Sequence, residues 1–201
     1  QLNAQRLVDR LHQLAGQVAD LTVEAAAALQ RTADQVNTVA QSIASLNTQI
    51  LASGGAPGMA PDLQDQRDVF VDTLSTLAGV RVLSRDDGTI GVIIGDTLLV
   101  DGAAAQTLVV RPQAGGGVGV GTAGGAGTID PGGGRLGALT ELTAASLPGF
   151  TAQLDAVTAA LVAGVNALHE TGYTLAGTTG TDFFDPAGVT AATIALAPAV
   201  A

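Results

Sequence analysis

The first 56 residues contain no proline, and within them apolar side chains recur at Leu7, Leu11, Leu14, Val18, Leu21, Ala25, Leu29, Thr32, Val36, Val39, Ile43, Leu46 and Ile50. Steps of three and four residues draw one stripe down one side of an α-helix, the spacing of helices packed along their length. At 1.5 Å per residue, such a helix would run roughly 75 Å, far beyond the usual globular helix. Two successive four-residue steps around Ala25 resemble a stutter, which locally unwinds a supercoil. Gly16 alone costs about 1 kcal/mol, too little to stop the run. Thr32 and Gln35 have capping-box spacing, so a split into two helices is the alternative to one continuous rod.

The segment "SGGAPGMAP" (Ser53–Pro61) brings glycine and proline together and predicts the end of this helix, with Asp62 as the acidic cap of the next. Asp62, Asp65, Asp68 and Asp72 follow closely, which raises the question of a metal-binding or proton-transferring cluster. At 100° per residue, Leu63, Phe70, Leu74 and Leu77 share one face, and Asp65, Asp68 and Asp72 fall nearly opposite. The acids are therefore expected on the solvated face, near the N-terminal end that the helix dipole favours.

From Gly79 the period changes to two. "GVRVLSR", "TIGVIIG", "TLLVDG" and "TLVVR" predict short strands, and "DDGT" (Asp86–Thr89) is a hairpin turn in which glycine takes a positive φ. The stretch 79–111 thus reads as an antiparallel meander. Eleven of the twenty residues from Gly115 to Gly134 are glycine, which predicts a flexible loop. Gly119, Gly121 and Gly124 match G-x-G-x-x-G, but no helical period follows to receive a pyrophosphate. Helical spacing returns at Leu136, Leu139 and Leu142, breaks at Pro148, and resumes as Leu147, Phe150, Leu154, Val157, Leu161, Gly164 and Leu168, with Pro148 in a first turn. These helices are too short to cover the first one, and the chain begins within a heptad pattern and stops in the strand-like "TIALAPAVA". The expectation is a piece of a longer polypeptide.

Eight arginines, no lysine and eighteen carboxylates give a net charge of −10, which opposes nucleic-acid binding. The absence of cysteine excludes disulfides, thiolate metal sites and cysteine nucleophiles. No uninterrupted apolar run reaches the roughly 18–20 residues that span a bilayer, and no cleavable signal pattern opens the chain, so membrane insertion is not expected. Polar groups for catalysis are sparse. His12 sits beside the seam without a carboxylate at ligand spacing, and His169–Glu170 lacks the second histidine of H-E-x-x-H. Ser42, Ser45, Ser75, Ser84 and Ser146 have no nucleophile-elbow context. Tyr173, Phe183 and Phe184 read as anchors of a turn-rich segment. Asp130, Asp182 and Asp185 could meet calcium, though their spacing does not require it. No catalytic, cofactor or metal residue is assigned.

The expected fold class is α+β, mainly α: an elongated antiparallel helical bundle with a long N-terminal helix and a small antiparallel β insert. Residues 1–78 and 135–171 would form the rod and 79–134 the β-meander insert with its glycine-rich loop. Residues 172–201 would be a loop and the start of a following β segment.

Five blocks carry a resemblance: "VNTVAQSIASLNTQI" (Val36–Ile50), "LQDQRDVFVDTLSTLAGVRV" (Leu63–Val82), "DDGTIGVIIGDTLLVDG" (Asp86–Gly102), "GGRLGALTEL" (Gly133–Leu142) and "LDAVTAALVAGVNALHETGYTLAGTTGTDFFDP" (Leu154–Pro186). In order and spacing, the chain resembles the middle of the flagellar hook-associated protein 1 family, without its terminal segments. The resemblance implies a non-enzymatic bacterial protein that forms a ring at the hook-filament junction. It implies export through the flagellar secretion system without a cleaved signal, an extracellular location, and partnership with the hook protein and a neighbouring junction protein. An export chaperone is also implied, and self-association in the full-length protein. This segment alone, lacking the family's polymerising termini, is expected to be monomeric. A phage-tail component or adhesin with a similar bundle is the alternative. A metal-assisted hydrolase using Asp62, Asp65 and Asp68 is a third reading.

Overall fold

The computed structural model describes residues 2–54, 59–113, 116–173 and 177–200. The expected stop signal at 55–58, part of the glycine run at 114–115 and the stretch 174–176 lie outside the described residues. The fold is α+β and mainly helical. In chain order it comprises α1 (Leu2–Ser53), α2 (Met59–Leu77), β1 (Val80–Ser84), β2 (Ile90–Ile94), β3 (Thr97–Asp101), β4 (Ala104–Ala105), β5 (Leu108–Pro112), β6 (Val118–Thr122), α3 (Gly134–Glu141), a π turn (Leu142–Ser146) and α4 (Leu147–His169). It divides into two compact units, one of residues 1–23 with 147–201 and the other of residues 24–146.

Helix α1 is unbroken. Thr32, the candidate cap, donates its hydroxyl to the Ala28 carbonyl inside the helix (2.9 Å), so the capping box does not form. From Leu11 to Ile50 the expected stripe is buried apart from Leu14, which is half-buried, and Leu21, which is 54% exposed. Val8, not Leu7, takes the first buried place, because at 100° per residue it shares a face with Leu11 and Ala15. Helix α2 begins three residues before the expected cap. Asp62 lies within its first turn, where Pro61 is also tolerated because the N–H groups there have no helical acceptor.

In the 24–146 unit, Leu29, Val36 and Ile43 of α1 and Leu74 of α2 share one core with Ile90, Val92 and Ile94 of β2 and with Leu136 of α3. Strands β1 to β4 form an antiparallel sheet in sequence order, with Val82 opposite Val92 and a register shift between Val92 and Ile93. The Asp86–Thr89 turn forms as expected: Gly88 has φ 81° and donates its N–H to the Arg85 carbonyl (3.1 Å).

Two expectations about the insert are corrected. The meander ends at β4, and β5 instead pairs with β6, a strand made from the glycine run, in the register Val110 opposite Val120. Part of the run is packed closely against backbone, although Gly116, Gly124 and Gly127 have open space around them. A Cβ on Gly117 would lie 2.5 Å from the Thr143 carbonyl oxygen, and one on Gly121 would press on the Gly127 carbonyl.

The expected helix break at Pro148 is also corrected, since the chain runs helically from Gly134 to His169. The π turn just before Pro148 has already interrupted the ordinary ladder of bonds, so a residue without an N–H fits beside it. Leu154 and Leu161 of the expected α4 seam are partly buried and pack against the core of their unit. The buried face is nonetheless rotated toward Thr158, Val162 and Asn166, and the expected members Phe150, Val157 and Leu168 are 51%, 64% and 75% exposed. One 18-residue window within this helical stretch has a mean hydropathy of 1.2, long and apolar enough to cross a membrane by length and composition, although no uninterrupted apolar run of that length occurs.

In the other unit, Val8, Leu11 and Val162 pack with Phe184, Ala191 and Ile194. The strand-like reading of the C-terminal run is corrected: residues 189–200 are mostly turns, with a single bridge from Phe184 to Leu196.

Gly134 has φ +63°, and a Cβ there would lie 2.6 Å from the Ala78 nitrogen, whereas Gly137 within α3 has open space. Gly134→Ala is expected to cost about 2 kcal/mol and Gly137→Ala to be neutral or stabilising by up to about 1 kcal/mol, measured by urea unfolding.

Candidate functional site

Short strands packed on helices leave backbone N–H and C=O groups facing an apolar surface, where an unpaired group costs about 1–3 kcal/mol. Three asparagines meet this demand in the same way. Asn37 of α1 donates Nδ2–H to the Leu108 carbonyl (2.9 Å) and accepts the Leu108 N–H at Oδ1 (2.7 Å). Asn166 of α4 donates to the Phe184 carbonyl (2.8 Å) and accepts the N–H groups of Phe184 (2.8 Å) and Phe183 (3.1 Å). Each carboxamide acts as a strand partner reaching out from a helix.

Asn47 carries the largest of these networks. Its Nδ2 donates to the carbonyls of Ile90 (2.9 Å) and Gly102 (2.7 Å), while Oδ1 accepts the Ile90 N–H (3.2 Å) and Arg67 Nη1 (3.3 Å). All four capacities of the carboxamide are used, at a residue with no exposed surface. Arg67, buried on α2, also donates to the Gly88 carbonyl (2.8 Å). Its Nε has no hydrogen-bond partner, and the exposed Asp68 carboxylate lies 3.7 Å away. One asparagine and one arginine thus hold the first hairpin and the β3–β4 turn on the two helices.

Asp62, Asp65, Asp68 and Asp72 are all exposed. Between Leu63 and Phe70 the helix face instead buries Arg67, which the apolar-seam reading passed over. His12 Nε2 lies 2.9 Å from the Ile194 carbonyl, and His169 Nδ1 lies 2.7 Å from that of Thr181, so both rings fasten the C-terminal segment. Phe183 stacks edge-on against His169 and Phe184, as anchors do. Asp130 accepts the Gly132 N–H and Asp185 the Ala187 N–H, each closing its own turn. Ser42 and Ser75 donate to carbonyls of their own helices. Among the described residues, no three of histidine, aspartate and glutamate are grouped to hold a metal.

Asn37, Asn47, Asn166 and Arg67 were missed in the sequence. A signal existed for two of them: Asn47 stands between Ile43 and Ile50 on the buried stripe, and Asn166 stands four residues after Val162. A polar residue at the centre of an apolar stripe implies a buried partner.

The three buried or part-buried carboxamides are committed to backbone groups and, at Asn47, to Arg67, the arrangement of a scaffold domain that holds small sheets on helices. The Flagellar hook-associated protein FlgK helical domain matches residues 2–184. Flagellar hook-associated protein 1 of Salmonella typhimurium is 32% identical over 161 residues, covering 75% of this chain and 29% of that protein. Its Escherichia coli counterpart is 38% identical over 89 residues, covering 43% of this chain and 16% of that protein. The solved flagellar hook junction protein FlgK from Burkholderia pseudomallei superposes with a TM-score of 0.78 at 32% identity, over 91% of this chain and 35% of that one. The chain belongs to the FlgK helical-domain family of flagellar hook-associated proteins. It spans less than a third of the curated relatives it matches.

Asn47→Ala is expected to lower stability by about 3 kcal/mol or more, because it strands Arg67 and two carbonyls, while exposed Gln49→Ala should change little; chemical denaturation compares them. Asp87 accepts the Thr89 hydroxyl (2.6 Å) and N–H (2.9 Å), and these bonds, the hydroxyl first, with Arg85 adding attraction, hold its carboxyl below the ordinary 3.8. Its contribution to the hairpin is present above the ordinary value and fades as pH falls through the lowered one. NMR titration should show Asp87 protonating below 3.8, and Thr89→Val should raise it.

Proposed function

We propose that this chain is the helical scaffold of a junction protein that assembles into a ring between the flagellar hook and filament. The family match over residues 2–184 carries this reading. The asparagine clamps support it, since a subunit that bears load between two tubes needs its sheets fixed to its helices. In this reading α1, α2, α3 and α4 act as an antiparallel bundle, with 1–78 and 135–171 as its helical part, 79–134 as the insert and 172–201 as a loop. The protein has no enzymatic activity, no metal and no cofactor, and it neither binds nucleic acid nor inserts in membranes. It is exported to the cell exterior through the flagellar secretion system, with the help of a chaperone, and its neighbours are the hook protein and a second junction protein. The 201-residue chain by itself is monomeric at micromolar concentration.

Deleting the gene that encodes this chain is expected to leave hooks without stable filaments in electron micrographs and to abolish swimming. A deletion strain that swims normally removes the reading.

A further inference from the structure

A groove of about 330 Å³ runs along α4 beside the C-terminal segment. Ala163, Ala167 and Val189 give it an apolar lining, and Glu170 and Asp182 line it too. Asn166 at its base is already spent on Phe183 and Phe184, so the polar groups left unspent are the two carboxylates. Neither has an ion-pair partner among the described residues, where the pairs are Arg67 with Asp68 and Arg85 with Asp101. Asp182 is half-buried and Glu170 exposed. Small side chains let a helix approach closely, and the carboxylates favour one that carries cations.

The N-terminal stretch of α1 has this character: Arg6 and Arg10 stand four residues apart on the side opposite Val8 and Leu11, which are buried. Arg10 contacts Gln13 (2.7 Å), and neither arginine is ion-paired among the described residues. These are the two cations of the unit in which the groove lies apart from its histidines, in a chain whose net charge is −10. Copies with that charge repel except where opposite signs meet.

We propose that the groove holds the Arg6–Arg10 stretch of α1 from a second copy, with Arg6 and Arg10 facing Glu170 and Asp182. Groove and arginine stretch are different surfaces, so the contact is heterologous, the kind that propagates around a ring. This inference rests on the junction reading and names the surfaces that reading leaves open.

The test places three variants in the chromosomal gene: Glu170→Arg with Asp182→Arg, Arg6→Glu with Arg10→Glu, and all four together. The fraction of hooks that carry filaments is counted by electron microscopy. Each pair alone should reduce it at least about tenfold, and the four together should restore it, because the charges are exchanged and not lost. Filaments at the unmodified level in either pair, or no restoration in the fourfold variant, overturns the contact. Either result leaves the junction reading intact as long as the deletion strain has bare hooks. Thermal melts of the purified chain check folding. A pair that melts without cooperativity is replaced by its neutral form, Glu170→Gln with Asp182→Asn or Arg6→Gln with Arg10→Gln, for which a partial loss is expected and an unchanged count overturns the contact.

Discussion

A backbone amide laid against an apolar helix face must be given a partner there, and that constraint organises the structure. The sheets have four and two strands, too small to satisfy their own edges. A carboxamide is the uncharged side chain that presents a donor and an acceptor together, as a peptide group does. Asparagine is short enough to bring that pair from a helix to a strand without spare rotamers. A hydroxyl also donates and accepts, but from a single atom, and so does not span the separated N–H and C=O of a strand as the two atoms of a carboxamide do. Leu108, Ile90 and Phe184 are each matched in both directions, so the position of each strand segment depends on the helical register behind it.

Glycine and threonine answer the same constraint by other means. Where the 117–134 stretch crosses the ends of α2 and the π turn, backbone meets backbone, and a side chain would hold them apart. Gly79 donates its N–H to the Pro131 carbonyl, a bond that needs this close approach. At the π turn, Thr143 is buried, and its hydroxyl reaches the Val118 carbonyl of β6 (2.8 Å), which fastens the second sheet to the helix. A run of glycines within a packed unit therefore signals contact, although the same composition in a linker would signal freedom.

The helices and strands were legible because their signals are local and repeated. Val36, Val39, Ile43 and Ile50 follow the 3.6-residue period, and Ile90, Val92 and Ile94 the two-residue period, so errors in single positions average out. What escaped depends on one residue or on a distant partner. The face that α4 buries was set by its distant partners Val8, Leu11, Phe184 and Ile194, and no pattern in "LTAAS" announces the π turn before it. β6 was hidden because Val118 and Val120 alternate with glycine, which reads as loop unless its partner, β5, is already known. Arg67 was lost to a rule that is usually right: a charge within an amphipathic helix faces water. Here Asn47 and the Gly88 carbonyl replace water for it, and both lie far away in sequence.

Arg67 also separates a scaffold from an active site. A buried cation that serves chemistry would be aimed into a cavity with its donors available. Arg67 instead spends Nη1 on Asn47 and Gly88, and its orphan Nε is sealed from solvent. The guanidinium stays charged in all accessible conditions, so its burial is tolerated only while the hairpin and α1 are both in place. Loss of either would take acceptors away from a buried guanidinium, which couples the two elements. The interior is polar where it ties elements together. Charge without such partners lies at the surface, as on α2 at Asp62, Asp65 and Asp72.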